Sequence, residues 1–230
     1  MPDTHVDRLL DHLTDGDAGA LPELRAWLTG SRRFRAFADA HRDKVRKKVR
    51  AARDADARLD LRAELAAAHS LLADRRIDLA YEAFGATAGG PDFTVAFRSH
   101  PALTVEVTRW RGEPAALERQ LLAKLRQLPT GIANAVLVVA DDLAAPPDVA
   151  SVADRWRDRA DAGDESFFRR HGLEGVRPFR ARLGRLGGVV LWSGAAGGAA
   201  APRVILWRNP AARIVLPDAA VRAILVALEA

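Results

Sequence analysis

The chain has 230 residues, 49% of them hydrophobic and 28% charged, enough to bury a sizeable core as one domain or as one domain with an appendage. It has no cysteine, which excludes disulfides and thiolate metal sites and fits a reducing compartment. The net charge is +5, but between Ser31 and Arg53 ten Lys or Arg stand against two Asp, a local balance of +8 that leaves −3 for the rest.

The first 13 residues mix Asp and His with apolar residues, so no signal peptide is expected. No run of about 18 apolar residues occurs, so neither a membrane span nor a membrane partner is expected, and the chain reads as cytoplasmic. Residues 3–14 and 21–29 read as two short helices. Ser31 is placed to cap one long helix reaching about Ala52. Its apolar stripe is Phe34, Phe37, Ala38, His41, Val45, Val49 and Ala52, and its other faces carry Arg42, Lys44, Arg46, Lys47, Lys48 and Arg50. Such a helix is either a phosphate-contacting surface or a solvated one. It belongs to an N-terminal helical region, 1–56, ahead of an α/β part over 57–230.

Ala57 to Ala73 reads as a helix with Leu61, Leu65, Ala68 and Leu72 in one stripe. Glu64 lies about 60° from that stripe, either half exposed or at the core boundary. Ile77 to Phe84 reads as a strand carrying Glu82, followed by a loop to Gly90. Asp92–Phe97 and Leu103–Thr108 then alternate polar and apolar residues, and the short link from Arg98 to Ala102 makes them a hairpin. Antiparallel pairing sets Asp92 opposite the region of Glu106 and Thr108. A carboxylate in mid-strand is costly if it only packs, and two together suit a hard divalent cation, Mg2+ or Mn2+. Arg109-Trp110-Arg111 follows, readable as a base-stacking, phosphate-contacting triplet or as a structural cap.

Pro114 opens a helix to Leu128 with Leu117, Leu121, Leu125 and Leu128 as its core stripe. Lys124 falls inside that stripe, about 20° from Leu117. A buried ammonium needs a partner, so Lys124 either snorkels along the core edge or is aimed at the carboxylate pair, flanked by Gln120 and Gln127. Ala135 to Ala140 is wholly apolar and reads as a central strand covered on both faces, with Asp141 and Asp142 in the loop after it. Asp148 to Ala162 and an interrupted 166–184 read as helices, Gly188 to Trp192 and Val204 to Trp207 as strands, and Asp218 as the cap of a last helix. The expected fold is α/β, a mixed central sheet flanked by helices with an N-terminal helical extension. No His spacing suits zinc, and no GxSxG turn or Walker lysine occurs.

Gly90-Pro91-Asp92-Phe93 and, with thirteen residues between Asp92 and Glu106, Glu106-Val107-Thr108 resemble the signature of the PD-(D/E)XK nuclease-like superfamily. The order helix, strand, hairpin, helix, strand strengthens the resemblance; the last motif position, normally Lys, is Thr108. The resemblance implies a restriction-endonuclease-like core that hydrolyses nucleic acid phosphodiesters, DNA before RNA. It implies Mg2+ or Mn2+ held by Asp92 and Glu106, with the Val107 carbonyl and Glu64 or Glu82. Lys124 then stands in for the motif lysine, Thr108 holds a water, and Gln127 positions Lys124 or the phosphate. The basic helix, with Arg109 and Arg111, supplies nucleic-acid affinity, and a homodimer is common among such folds. The alternative is a catalytically degenerate fold acting as a nucleic-acid-binding or protein-interaction module, which the loss of the lysine favours and the two retained carboxylates oppose.

Overall fold

The structure, a computed structural model, describes residues 4–84, 90–140, 146–193 and 202–230. The loop expected after Phe84, Asp141 and Asp142 lie outside the described residues, apart from Gly90. Five helices come first: α1 (Thr4–Thr14), α2 (Leu24–Gly30), α3 (Arg32–Ala40), α4 (Arg42–Ala51) and α5 (Ala55–Leu71). Strands β1 (Ile77–Tyr81), β2 (Phe93–Phe97) and β3 (Leu103–Trp110) lead through α6 (Pro114–Lys124) to β4 (Ala133–Ala140). Helices α7 (Val149–Asp161), α8 (Glu165–Arg170) and α9 (Val176–Leu183) lead to β5 (Leu186–Ser193), β6 (Arg203–Arg208) and α10 (Asp218–Glu229).

The six strands form one mixed sheet in chain order. β1, β2 and β3 form an antiparallel meander, β3, β4 and β5 are parallel, and β6 returns antiparallel at the far edge. The two parallel steps need crossovers, and α6 and α7–α9 provide them. Every residue of β4 is buried, as expected of a strand covered on both faces. One face of the sheet, with Leu103, Val105, Val107, Ala135 and Leu137, packs on a core that also takes in α1–α5 and α10. The other face, with Val136, Val138 and Leu191, packs on α6–α9. No helix among the described residues is long and apolar enough to cross a membrane.

The long basic helix expected from Ser31 to Ala52 is two helices. Ser31 caps the first, its side chain accepting from the Phe34 amide at 3.1 Å. The break is at His41, with φ −113° and ψ 18°. There the imidazole packs on Phe37 and Tyr81, ring centroids 4.9 and 5.5 Å away. Aromatic packing on β1 outweighs one more turn of helix, because local propensity is the weaker influence. The bend turns α4 across the end of β1. β1 itself stops at Tyr81, and Glu82 takes a left-handed conformation, φ 47°, a strained choice for a residue with a side chain. The last expected cap also differs. Asp218 is the first residue of α10 and bonds Arg208 at 2.7 Å, not the helix amides.

Candidate active site

The register of the hairpin is Phe93↔Val105, Thr94↔Thr104 and Val95↔Leu103. Continued by one residue, it sets Asp92 across from Glu106. The two are locked together: the Asp92 amide donates to Glu106 Oε2 at 3.2 Å, and the Val107 amide donates to Asp92 Oδ2 at 2.8 Å. β2 stops here while β3 runs on to Trp110, so the second half of β3 has a free edge among the described strands. A cavity of about 340 Å3 lies against that edge, lined by Lys48, Glu64, Asp92, Val107, Thr108 and Lys124, with Asp60 and Arg109 also in the wall.

Lys124 is aimed at the carboxylates, as one of its two readings had it: its ammonium bonds Glu106 Oε1. α6 ends at Lys124 rather than Leu128, yet Leu125 and Leu128 stay buried in the same cluster. Glu64 is buried, not half exposed, and accepts from the Tyr81 hydroxyl at 2.5 Å. Lys48 sits between three carboxylates, 2.6 Å from Glu64, 2.9 Å from Glu82 and 3.8 Å from Asp92. Glu82 holds Lys48 and, at 3.8 Å, Lys44, but does not line the cavity. Gln127 is not at the site. It lies in the turn after α6, its Oε1 buried with no hydrogen-bond partner among the described residues; Gln120 instead donates to the Arg109 carbonyl at 2.9 Å.

Several expected phosphate-contacting residues are placed otherwise. Lys48 points into the carboxylate cluster because the bend at His41 carries α4 over the end of β1. Lys44 donates to the Tyr81 carbonyl at 3.2 Å. Arg46 and Arg50 are both paired to Asp15, and Arg42 lies 3.9 Å from Asp39. Lys47 is exposed. Arg109 has 8% of its side chain exposed and is held by Asp56 at 2.7 Å and Asp60 at 3.0 Å, while Arg111 takes the other oxygens of the same aspartates. Trp110 is buried, its indole donating to the Glu113 carbonyl at 3.0 Å, so the triplet is a structural cap rather than a base-stacking platform. Strand alternation drives this: Arg109 and Trp110 face opposite sides of the sheet.

The electrostatics follow from burial. Glu64, Glu82, Asp92 and Glu106 outnumber Lys44, Lys48 and Lys124 by one charge. Burial first, and Asp92 second, push Glu64 and Glu106 both up to about 7. Asp92 is raised by burial although Lys124, Lys48 and the Val107 amide pull the other way. Burial works against the charged form of Lys48, but Glu64, Asp92 and Glu82 outweigh it and hold the ammonium above the usual lysine value. Burial and Glu64 raise the Tyr81 phenol, which therefore stays a donor. The cluster is thus short of positive charge, and its donors are hard oxygens, the type a Mg2+ or Mn2+ ion takes. Asp92, Glu106 and Glu64 offer donors of that chemical type. Among the described residues no three acidic or histidine side chains are spaced to hold one ion, and Lys48 and Lys124 pair with the carboxylates instead.

These shifts predict a pH effect. A carboxyl raised on folding favours the folded state below its unfolded value and costs stability as pH rises through the folded one. In metal-free protein the stability of Glu64→Gln relative to wild type should therefore grow from about pH 4.5 to about pH 7 and then level off. His41 and His69, both lowered by burial, act the opposite way below about pH 6.5 but are common to both proteins. Urea midpoints across this range check it, and a pH-independent difference would contradict the charged-cluster account.

Sequence reasoning missed three participants: Lys48 as a cluster member, Tyr81, and the Asp56/Asp60 clamp on Arg109. Lys48 carries no local signal among its basic neighbours. Tyr81 had one, as the chain's single tyrosine next to Glu82.

Fold and site together define the class: an α/β protein with a mixed sheet and a buried carboxylate–lysine cluster at the free edge of a central strand. No protein-family model, no curated protein and no solved structure matches the chain.

Proposed function

We propose that this protein is a metal-dependent nuclease of restriction-endonuclease-like type, hydrolysing nucleic acid phosphodiesters, with DNA as the favoured substrate. The observation that carries the reading is the locked Asp92–Glu106 pair at the free edge of β3 with the Lys124 ammonium on Glu106. Asp92 and Glu106, with Glu64 behind them and the Val107 carbonyl beside them, would hold Mg2+ or Mn2+. Such an ion supplies a water of lowered pKa and takes up charge on the phosphoryl oxygens. Lys124 is anchored by Glu106 and presents a fixed positive charge to the cavity, where developing negative charge is best stabilised by groups already in place. The Thr108 hydroxyl can hold a water in the same wall but carries no charge. Thr108 therefore cannot replace the motif lysine, and Lys124 does so from the neighbouring helix.

A second reading has its own observation. Lys48 neutralises Glu64, Glu82 and Asp92 from within, which is how a site that has lost its metal could be stabilised in a nucleic-acid-binding or protein-interaction module. Titration calorimetry with Mg2+ and Mn2+, followed by cleavage assays on labelled single- and double-stranded DNA and RNA, decides between them. The nuclease reading expects saturable metal binding and metal-dependent cleavage. Metal binding without cleavage of any substrate, or no binding at millimolar metal, leaves the module.

A further inference from the structure

The residues expected to bind phosphate from α4 and from the end of β3 are largely committed to carboxylates, as described above. Positive charge is available elsewhere. A second cavity, about 360 Å3, lies on the other flank of α5 and is lined by Arg53, Arg58 and Arg62 together with apolar residues of both α5 and the segment around Pro22. No carboxylate is in its wall. Arg53 and Arg58 are exposed and form no ion pair with any described residue. Arg62 is held by Glu23 at 2.6 Å with 17% of its side chain exposed, and a guanidinium so anchored is oriented in advance.

The two cavities flank one helix. Asp60 and Glu64 face the candidate active site, and Arg58 and Arg62, two residues earlier on each turn, lie about 200° round the helix and face the second cavity. Each reaches the α4–α5 turn: Ala52 lines the first, Arg53 lines the second, and Arg58 Nε donates to the Ala52 carbonyl at 3.3 Å. Asp54 lies in this turn, its carboxylate committed to the Ala57 amide at 2.7 Å.

We propose that the Arg53–Arg58–Arg62 cavity is a phosphate-binding subsite for a single DNA strand that crosses the α4–α5 turn from the carboxylate cluster. The inference rests on the nuclease reading for its substrate class. Guanidinium groups suit the site because they take phosphate oxygens in pairs and stay charged at any working pH. Each cavity has the volume of a small-ligand pocket, so one strand, not a duplex, threads the pair. The binding is of backbone and carries no base preference.

The test is fluorescence anisotropy with a short labelled single-stranded DNA in calcium buffer, across a salt series, for wild type and Arg53→Glu/Arg58→Glu. Both side chains are exposed, and an unchanged melting temperature verifies the fold of the variant. The proposal expects at least about a tenfold loss of affinity and a shallower slope of log affinity against log salt, by about 1.4 for two single-strand phosphate contacts. Equal affinity, or a loss without change of slope, overturns it. Mg2+ calorimetry on wild type separates the two readings. Magnesium binding with no DNA binding overturns the subsite and leaves the metal site standing, and absence of both overturns the two together.

Discussion

Asp92→Asn should abolish saturable Mg2+ binding in calorimetry and lower DNA cleavage by about a thousandfold or more, since it removes a charge from the group that would hold the ion. The substitution leaves the architecture in place. The side-chain oxygen of Asn can still accept from the Val107 amide, the bond that ties the start of β2 to β3. It also removes the repulsion that helps to raise Glu64 and Glu106, so the metal-free variant should melt higher than wild type. Loss of activity with a gain of stability is what a group kept for function produces. Lys124→Met should separate binding from rate. It frees Glu106, so magnesium affinity is retained or improved, while cleavage falls by about a hundredfold to a thousandfold through the loss of one preorganised charge. A Lys124→Met protein that cleaves like wild type would remove lysine from the mechanism and return Thr108 to consideration.

Lys48→Met should destabilise the metal-free protein by about 3 kcal/mol or more at pH 8, because breaking a buried pair leaves an uncompensated charge. Here the stranded groups are Glu64 and Asp92, with Glu82 beside them. At pH 5 the loss should shrink, since Glu64, raised to about 7, then takes up a proton. Adding Mg2+ at pH 8 should restore more stability to Lys48→Met than it adds to wild type, because the ion no longer competes with an ammonium for the same oxygens. Urea unfolding at the two pH values, with and without magnesium, measures all of this. A variant as stable as wild type at pH 8 would mean that Lys48 pairs as a surface residue does and that α4 is held to the core by Val45 and Val49 without it.

The two predictions differ in how far the primary structure pointed to them. Asp92 and Glu106 were legible because strand alternation and a short link set their register, and a mid-strand carboxylate is conspicuous. Lys124 was legible because 100° per residue placed an ammonium on an apolar stripe. Glu64 was visible as a boundary residue but its direction was open. Lys48 looked like five other basic residues on the same helix, and α3 and α4 taken without the sheet do not announce the bend at His41. That bend depends on Phe37 and on Tyr81 of a strand forty residues on. Arg109 and Trp110 were ambiguous for a similar reason, since α5's Asp56 and Asp60 decide whether a guanidinium is free.

The sequence by itself therefore determined the α/β class, most of the succession of elements and the hairpin with its approximate register, and it narrowed Lys124 on the next helix to two directions, one of them toward the strand carboxylates. Each of these rests on a period of two or 3.6 residues, on turn chemistry, or on a separation short enough for the chain to impose. Only the tertiary structure decided which charges neutralise one another: Lys48 with Glu64, Glu82 and Asp92, Arg46 and Arg50 with Asp15, and Arg109 with Asp56 and Asp60. Ion pairing acts through space between elements whose approach is set by the packing of two apolar faces on one sheet. The same basic residue is a phosphate contact or an internal counterion according to which carboxylate that packing brings within a few ångströms.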